Sequence, residues 1–410
     1  MTLISPNTVL ANALTDVEDV LAPRIRAANP QRIALVVGTQ INGAPHAGTS
    51  LVQSMAFATA ARLHDRHGLP VEVRFSALDN APYEIITDPV SGHRYQRAYA
   101  QAFGTDGIST LVGTLYRPLF DALSDRLAVP YGVETYSQQQ ATDAFRQTWL
   151  RVLPRLEAAR LWLAPSTGVP HVRVPCPRSC GWAEKYAQRT QVELAGGRGC
   201  AWVSAVCLHH GPYTVTVTPT GGGYLDLATL YRNLVKELAA LTEPDVLQIM
   251  VKGTDWMPGS LLVDGVLQAV GLSPGQLPAR LFCPMIVAET GAKLSKSLIR
   301  SGDAALPAGA EPWMLDTRKW PGTVGEFADR LLHLAGLLLS HPRHFFRSYS
   351  AAELSRLMSV PKGRARLHEH HLGPRHRAEP VPPVLRPRGR GPQDPGSPGE
   401  VPQVRRPGGR

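Results

Sequence analysis

The sequence predicts an α/β protein in which a parallel sheet is laid down in two stages, around a small cysteine-rich insert. Three observations predict it. Ile33–Gly38 (IALVVG) is an unbroken apolar run ending in glycine, the pattern of a buried parallel strand. A small-residue helix and a second strand follow it, which makes a βαβ unit and hence a parallel pair. After residue 224 the same alternation of strand and helix resumes, beyond a stretch of cysteine, glycine and short alternating runs.

Taken in order, residues 1–30 read as an N-terminal helical segment. Residues 31–170 hold the first half of the core. Its elements are the strand at 33–38, a turn over Thr39–Pro45, a helix over Ala47–Arg66 and a strand over Val71–Leu78 that ends at Asp79. Helical patterns recur at Tyr95–Phe103, Leu115–Leu127 and Gln138–Ala158. Residues 171–224 are the insert, with its own small fold. Residues 225–360 complete the core with a helix Leu225–Leu241, a strand Val246–Lys252, a helix Ser260–Val270 and a strand Leu281–Ala288. Helices over Thr323–Leu339 and Ala351–Met358 close it.

With 43% hydrophobic residues the chain can bury a large core, so a wholly disordered protein is excluded. The formal net charge of +10 suggests a nucleic-acid footprint until it is located. Residues 361–410 hold 11 Lys+Arg and four acids, leaving 32 basic and 29 acidic residues in 1–360. The excess belongs to a tail with 11 prolines and eight glycines, read as a disordered, solvated Arg/Pro/Gly segment whose arginines can touch RNA. No DNA partner is implied. The longest apolar run, Leu331–Leu339, contains His333 and is too short to span a membrane. The N-terminus carries Asp16, Glu18 and Asp19 and lacks a leader pattern, so the expectation is a cytoplasmic protein with no membrane partner.

Four groups of residues carry chemistry. NGAPHAGT (Asn42–Thr49) lies between a strand and a helix N-terminus, where free backbone N–H groups favour phosphate. Within it His46 can donate to a phosphate oxygen, and Gly43 and Gly48 allow close approach of a nucleotide. KLSKS (Lys293–Ser297) follows another strand, and its Lys293 and Lys296, interleaved with Ser295 and Ser297, can grip a polyphosphate. Gly253 and Asp255, within VKGTDW, sit at the C-terminal edge of a third strand, where open α/β sheets bind ligands. Cys176, Cys180, Cys207 and His210 have the residue types and clustering of zinc ligands, with Cys200 or His209 as alternative fourth ligands. Cys283 is read as strand packing.

In this order the first three groups resemble the signatures of class I aminoacyl-tRNA synthetases. HAGT is similar to HIGH with Thr49 in place of the second histidine, KLSKS is similar to KMSKS, and GTDW resembles the family's Gly-x-Asp turn. The nearest resemblance is to the class I lysyl-tRNA synthetases, which also carry a cysteine-rich insert between the two outer motifs. The resemblance covers roughly Ile33–Ser297 and implies a Rossmann-like parallel sheet as catalytic core. It further implies an ATP-dependent ligase that forms an aminoacyl-adenylate from an amino acid, with ATP and Mg²⁺, and Zn²⁺ in the insert.

His46, Lys293 and Lys296 would then be catalytic. Gly43, Gly48, Thr49, Gly253, Asp255 and Ser295 would bind ATP, and Asp79 would bind the amino acid. A complete lysyl enzyme of this kind has a helical anticodon-binding domain after KMSKS, whereas about 60 residues follow Ser297 before this tail. Two acceptors are therefore expected: tRNA, or a small-molecule amine or guanidine served by a biosynthetic paralogue.

Overall fold

The computed structural model describes residues 8–195, 199–288, 290–294, 299, 302 and 305–359. Five parallel strands form the central sheet. In spatial order they are Ala279–Cys283, Val246–Gly253, Arg32–Gln40, Val71–Leu78 and Tyr131–Thr135. The first strand of the chain is thus central. Later strands are added outward on one side, and after the insert the chain crosses back and builds outward on the other. This reversal opens a crevice at the C-terminal ends of Arg32–Gln40 and Val246–Gly253, the place where a doubly wound sheet receives ligands.

The two faces of the sheet differ. On one, Leu35, Val37, Val73, Phe75, Ile249, Val251 and Leu281 pack against the helices Ala47–His67 and Val324–Leu339 in the main core. Phe57 lies at the centre of this layer, edge-on to Phe120 at 5.5 Å. The other face alternates with it and is charged. There Arg74 bonds Glu243 at 2.7 and 2.8 Å, Lys252 meets Glu237 at 3.1 Å, and Arg280 pairs with both Glu237 and Asp264. The helix Thr229–Ala240 is laid over this face and supplies Glu237. Its apolar side packs with helices Asp143–Val152, Leu156–Leu163 and Met257–Ala269 in a second core around Trp149 and Tyr231.

The insert contains a four-stranded antiparallel sheet and a separate strand, Trp182–Glu184, which extends a hairpin formed by Pro82–Thr87 and Arg94–Ala98. Several sequence expectations change here. The pattern at Tyr95–Phe103 begins as the strand Arg94–Ala98 and becomes helix only from Tyr99. Leu225–Leu241 opens with a short strand, Asp226–Leu227, because Asp226 is drawn into pairing with Arg173. The expected strand Leu281–Ala288 is split at Pro284, which has no N–H for a ladder; Ile286–Val287 pairs instead with Tyr349–Ser350. The helix Val324–Leu339 starts as its sequence suggests, with a capping box between Thr323 and Glu326. Among the described residues no helix is long and apolar enough to cross a membrane.

Candidate active-site cleft

A cleft of about 530 Å³ opens at the crevice between the central strands. Its size suits a small-molecule or cofactor site. Its walls include Gly38–Gln40, Asn42–His46, Gly48, Thr49, Lys252, Gly253, Asp255, Trp256, Lys293 and Leu294. Residues of three sequence motifs, the first more than two hundred residues before the other two, therefore meet in one cavity.

The loop after the first strand is held by Tyr116, which is 2% exposed. Its hydroxyl donates to the Gly43 carbonyl at 2.9 Å and lies 3.3 Å from that of Gln40. Gly43 turns the loop at φ 119°, a value that strains any residue with a Cβ. His46 is then the N-cap of the helix Ala47–His67. Its Nδ1 accepts the Thr49 N–H at 3.4 Å, and its Nε2 lies 3.2 Å from Thr49 Oγ1. An accepting Nδ1 puts the proton of the neutral ring on Nε2. Gly48 is needed for the histidine: a Cβ there would lie 3.0 Å from His46 Cε1.

The same device recurs across the cleft. A Cβ on Gly253 would lie 2.5 Å from Asp255 Oδ1, so glycine lets that carboxylate fold back over the strand end. Asp255 Oδ2 accepts from Lys293 Nζ at 2.5 Å. Lys293 is anchored at the start of its loop by a bridge to Val287, while Leu294 N–H donates to Ile286 O at 2.9 Å. Ser295, Lys296 and Ser297 lie outside the described residues. Trp256, 38% exposed, stands at the cleft wall, whereas Trp313 is buried beside Trp320 and Phe327.

Asp79 is placed differently from the expectation. It does not line this cleft: it is 1% exposed, and its oxygens accept from Ser137 N–H at 3.0 Å and Ser137 Oγ at 2.5 Å. It fastens the end of the strand Val71–Leu78 to the helix Tyr136–Ala141. Sequence reasoning also missed an entire wall. Thr229, Arg232, Asn233 and Lys236 line the cleft from the helix Thr229–Ala240, and Gln53 lines it from the helix Ala47–His67. Gln53 is 2% exposed with neither amide atom bonded among the described residues. The available signal was a set of polar residues interleaved with the apolar stripe Tyr231, Leu234 and Val235.

In the insert, Cys176, Cys180, Cys207 and His210 converge, with their donor atoms all within 4.8 Å of one another. Cys180 Sγ lies 3.4 Å from Cys207 Sγ, and His210 Nδ1 lies 3.4 Å from Cys176 Sγ and 3.6 Å from Cys207 Sγ. These separations are close to the edge of about 3.8 Å for a tetrahedron with zinc–sulfur bonds of about 2.3 Å. Two tight turns build the group. Between Cys176 and Cys180 the chain turns at Ser179, φ 67°, and Gly181 at φ 68° turns it again after Cys180, while His210 precedes Gly211 at φ 70° in the hairpin joining Cys200–Cys207 to Gly211–Thr218. Cys200 and His209 are not members of the group, and Cys283 is buried in the main core.

No protein-family model matches this chain, and no curated protein matches it. Among solved structures the chain is similar to Mycobacterium tuberculosis methionyl-tRNA synthetase in complex with methionyl-adenylate, with 15% identity and a TM-score of 0.38 over 79% of this chain and 67% of that one. It is also similar to glutamate-tRNA synthetase from Elizabethkingia anophelis, with 11% identity and a TM-score of 0.35 over 78% and 66%. A third is a glutamate tRNA ligase from Elizabethkingia meningosepticum in complex with its amino acid, with 11% identity and a TM-score of 0.34 over 78% and 65%. The residues of the cleft, not these similarities, carry the functional reading.

Lys236 offers a test of the cleft's electrostatics. Burial, together with the neighbouring Arg232 and Lys252 cations, holds its ammonium down to about 7 from an ordinary 10.5. Below pH 7 the lysine is charged in both folded and unfolded chains, and folding bears the full cost. As pH rises towards 10.5 only the unfolded chain keeps the proton, so the cost fades. Lys236→Met should therefore melt above the parent at pH 6, with the difference narrowing by pH 10, as read by calorimetry across that range.

Proposed function

We propose that this chain activates an amino acid with ATP, forming an aminoacyl-adenylate and pyrophosphate, as a class I synthetase-like ligase. The observation that carries this reading is the meeting of His46, the Gly253–Asp255 turn and Lys293 in one cleft at the reversal point of the sheet. An oxygen of the amino-acid carboxylate attacks the α-phosphorus of ATP, and the bond from that phosphorus to the oxygen bridging to the β-phosphate breaks. Pyrophosphate leaves with its Mg²⁺, which neutralises part of its charge. Such a step needs positioning and charge stabilisation rather than covalent help from the protein.

His46 stands at a helix N-terminus, its Nδ1 held by the Thr49 N–H; its Nε2–H, which lies against Thr49 Oγ1, would pass to an α-phosphate oxygen when ATP binds. Gly253 and Asp255 take the adenosine side. Lys293 moves from Asp255 to the leaving pyrophosphate as the charge there grows, and Lys296 joins it in the same role. The acceptor of the aminoacyl group is tRNA or a small-molecule amine or guanidine. In the insert, the donor set Cys176, Cys180, Cys207 and His210 suits a structural Zn²⁺ that closes the fold of that segment.

Amino-acid-dependent ATP–pyrophosphate exchange tests the reading. His46→Ala and Lys296→Ala should each lower the rate about a hundredfold, ~3 kcal/mol in the transition state; both should stay folded, with His46→Ala melting lower because it also removes a helix cap worth about 1 kcal/mol. Gly48→Ala, which displaces the His46 ring, should fall between these variants and the parent. Unchanged exchange in His46→Ala or Lys296→Ala would refute the assignment. For the insert, metal analysis should find one zinc per chain, absent from Cys207→Ser together with a lower melting temperature. A zinc content the same in that variant would remove the site.

A further inference from the structure

The charges on the polar face of the sheet are matched almost one for one, and the exceptions face the cleft. Glu243 is taken by Arg74, and Glu237 and Asp264 are taken by Lys252 and Arg280. Asp226 is taken by Arg173 at 2.6 and 3.1 Å, with Asn80 and Gln96 donating to it as well. Within the cleft, Lys293 is matched by Asp255.

Two cations remain. Arg232 is 5% exposed, and among the described residues its guanidinium makes no hydrogen bond or ion pair; its Nε is buried without a partner. Its guanidinium carbon lies 5.6 Å from the ring centroid of Tyr136, and Asp226, already bonded to Arg173, acts on it only from beyond ion-pair distance. Lys236, one helical turn on, donates to Ser76 Oγ at 2.8 Å and has no carboxylate within ion-pair distance among the described residues. Glu134, on the edge strand, faces it from outside the cleft, where it accepts from Gln139. Both cations line the cavity, and Asn233 between them adds an amide.

A guanidinium buried to this degree with no carboxylate in ion-pair contact among the described residues is costly, and the cost is relieved when an anion enters. Its fork of donors matches a carboxylate in two parallel bonds. Resting on the activation reading above, we infer that the amino acid this cleft takes is a dicarboxylic one, its side-chain carboxylate bound by Arg232 and Lys236. A lysine side chain, which the motif resemblance implies, would bring an ammonium to two unmatched cations. Asp255 and Glu237, the carboxylates lining the cleft among the described residues, are already engaged by Lys293, Lys252 and Arg280.

Calorimetric titration of the full chain with L-glutamate, L-aspartate, L-leucine, L-lysine and, separately, ATP tests this. The expected result is binding of an acidic amino acid and not of lysine. Arg232→Gln should weaken that binding about tenfold or more, and Lys236→Met should weaken it in the same direction. ATP binding should stay unchanged in both variants, with melting curves confirming that they fold. Equal or tighter binding of lysine or leucine would overturn the inference, and exchange supported by that amino acid would leave the activation reading standing. Loss of ATP binding instead of amino-acid binding in Arg232→Gln would also overturn it, by assigning the guanidinium to phosphate. An acidic amino acid that binds without supporting exchange would keep the inference and remove the activation reading.

Discussion

Glu237 stands between Lys252 and Arg280 on the charged face of the sheet, and with Asp264 it lets a helix layer close over a surface that is not apolar. A parallel sheet is normally covered by hydrophobic packing on both faces. Here one face is packed that way and the other is held by ion pairs that must balance. Breaking such a buried pair on one side leaves an uncompensated charge, so the balance is under tight constraint. The cleft begins where that balance stops, at Arg232 and Lys236. Fold and ligand preference are therefore two consequences of one charge distribution.

Geometry at the other wall depends on glycine rather than on charge. Gly48 leaves room for the His46 ring and Gly253 leaves room for the Asp255 carboxylate. Each functional side chain curls back over a glycine of its own motif and is held there by one partner, His46 by Thr49 and Asp255 by Lys293. Tyr116, at the junction of two helices, fixes the loop before His46 by holding the carbonyls of Gln40 and Gly43. On the proposed reading the nucleotide would lie against this glycine-built edge and a small acid against the cationic inner wall.

Much of this was legible in the sequence. The apolar run IALVVG, the capping box before Val324 and the cysteine spacing each reflect a local rule, and each element formed where that rule puts it. The strand over Val71–Leu78 also formed with the bounds its sequence suggests, and Arg74 and Ser76 fall opposite Val73 and Phe75. What escaped was decided by tertiary context. The strand Tyr131–Thr135 is a short edge strand containing glycine, with no apolar run to mark it. Arg232 and Lys236 look like ordinary solvent-facing positions on an amphipathic helix until the sheet is laid against them. Asp79 was misplaced because a carboxylate at a strand end can face a ligand or cap the next helix, and only the position of Ser137 decides which.

On the proposed reading one cleft holds an adenosine phosphate against the Gly48–Gly253 edge and an amino acid against the inner wall at the same time. Stable aminoacyl-sulfamoyl adenosines, which join the two halves without a cleavable phosphate, probe this directly in a competition titration against ATP. One such conjugate should bind at least a hundredfold more tightly than ATP or its free amino acid, in keeping with the tighter binding of transition-state and intermediate analogues, and displace both. Conjugates that bind no better than adenosine alone, whatever amino acid they carry, would contradict it.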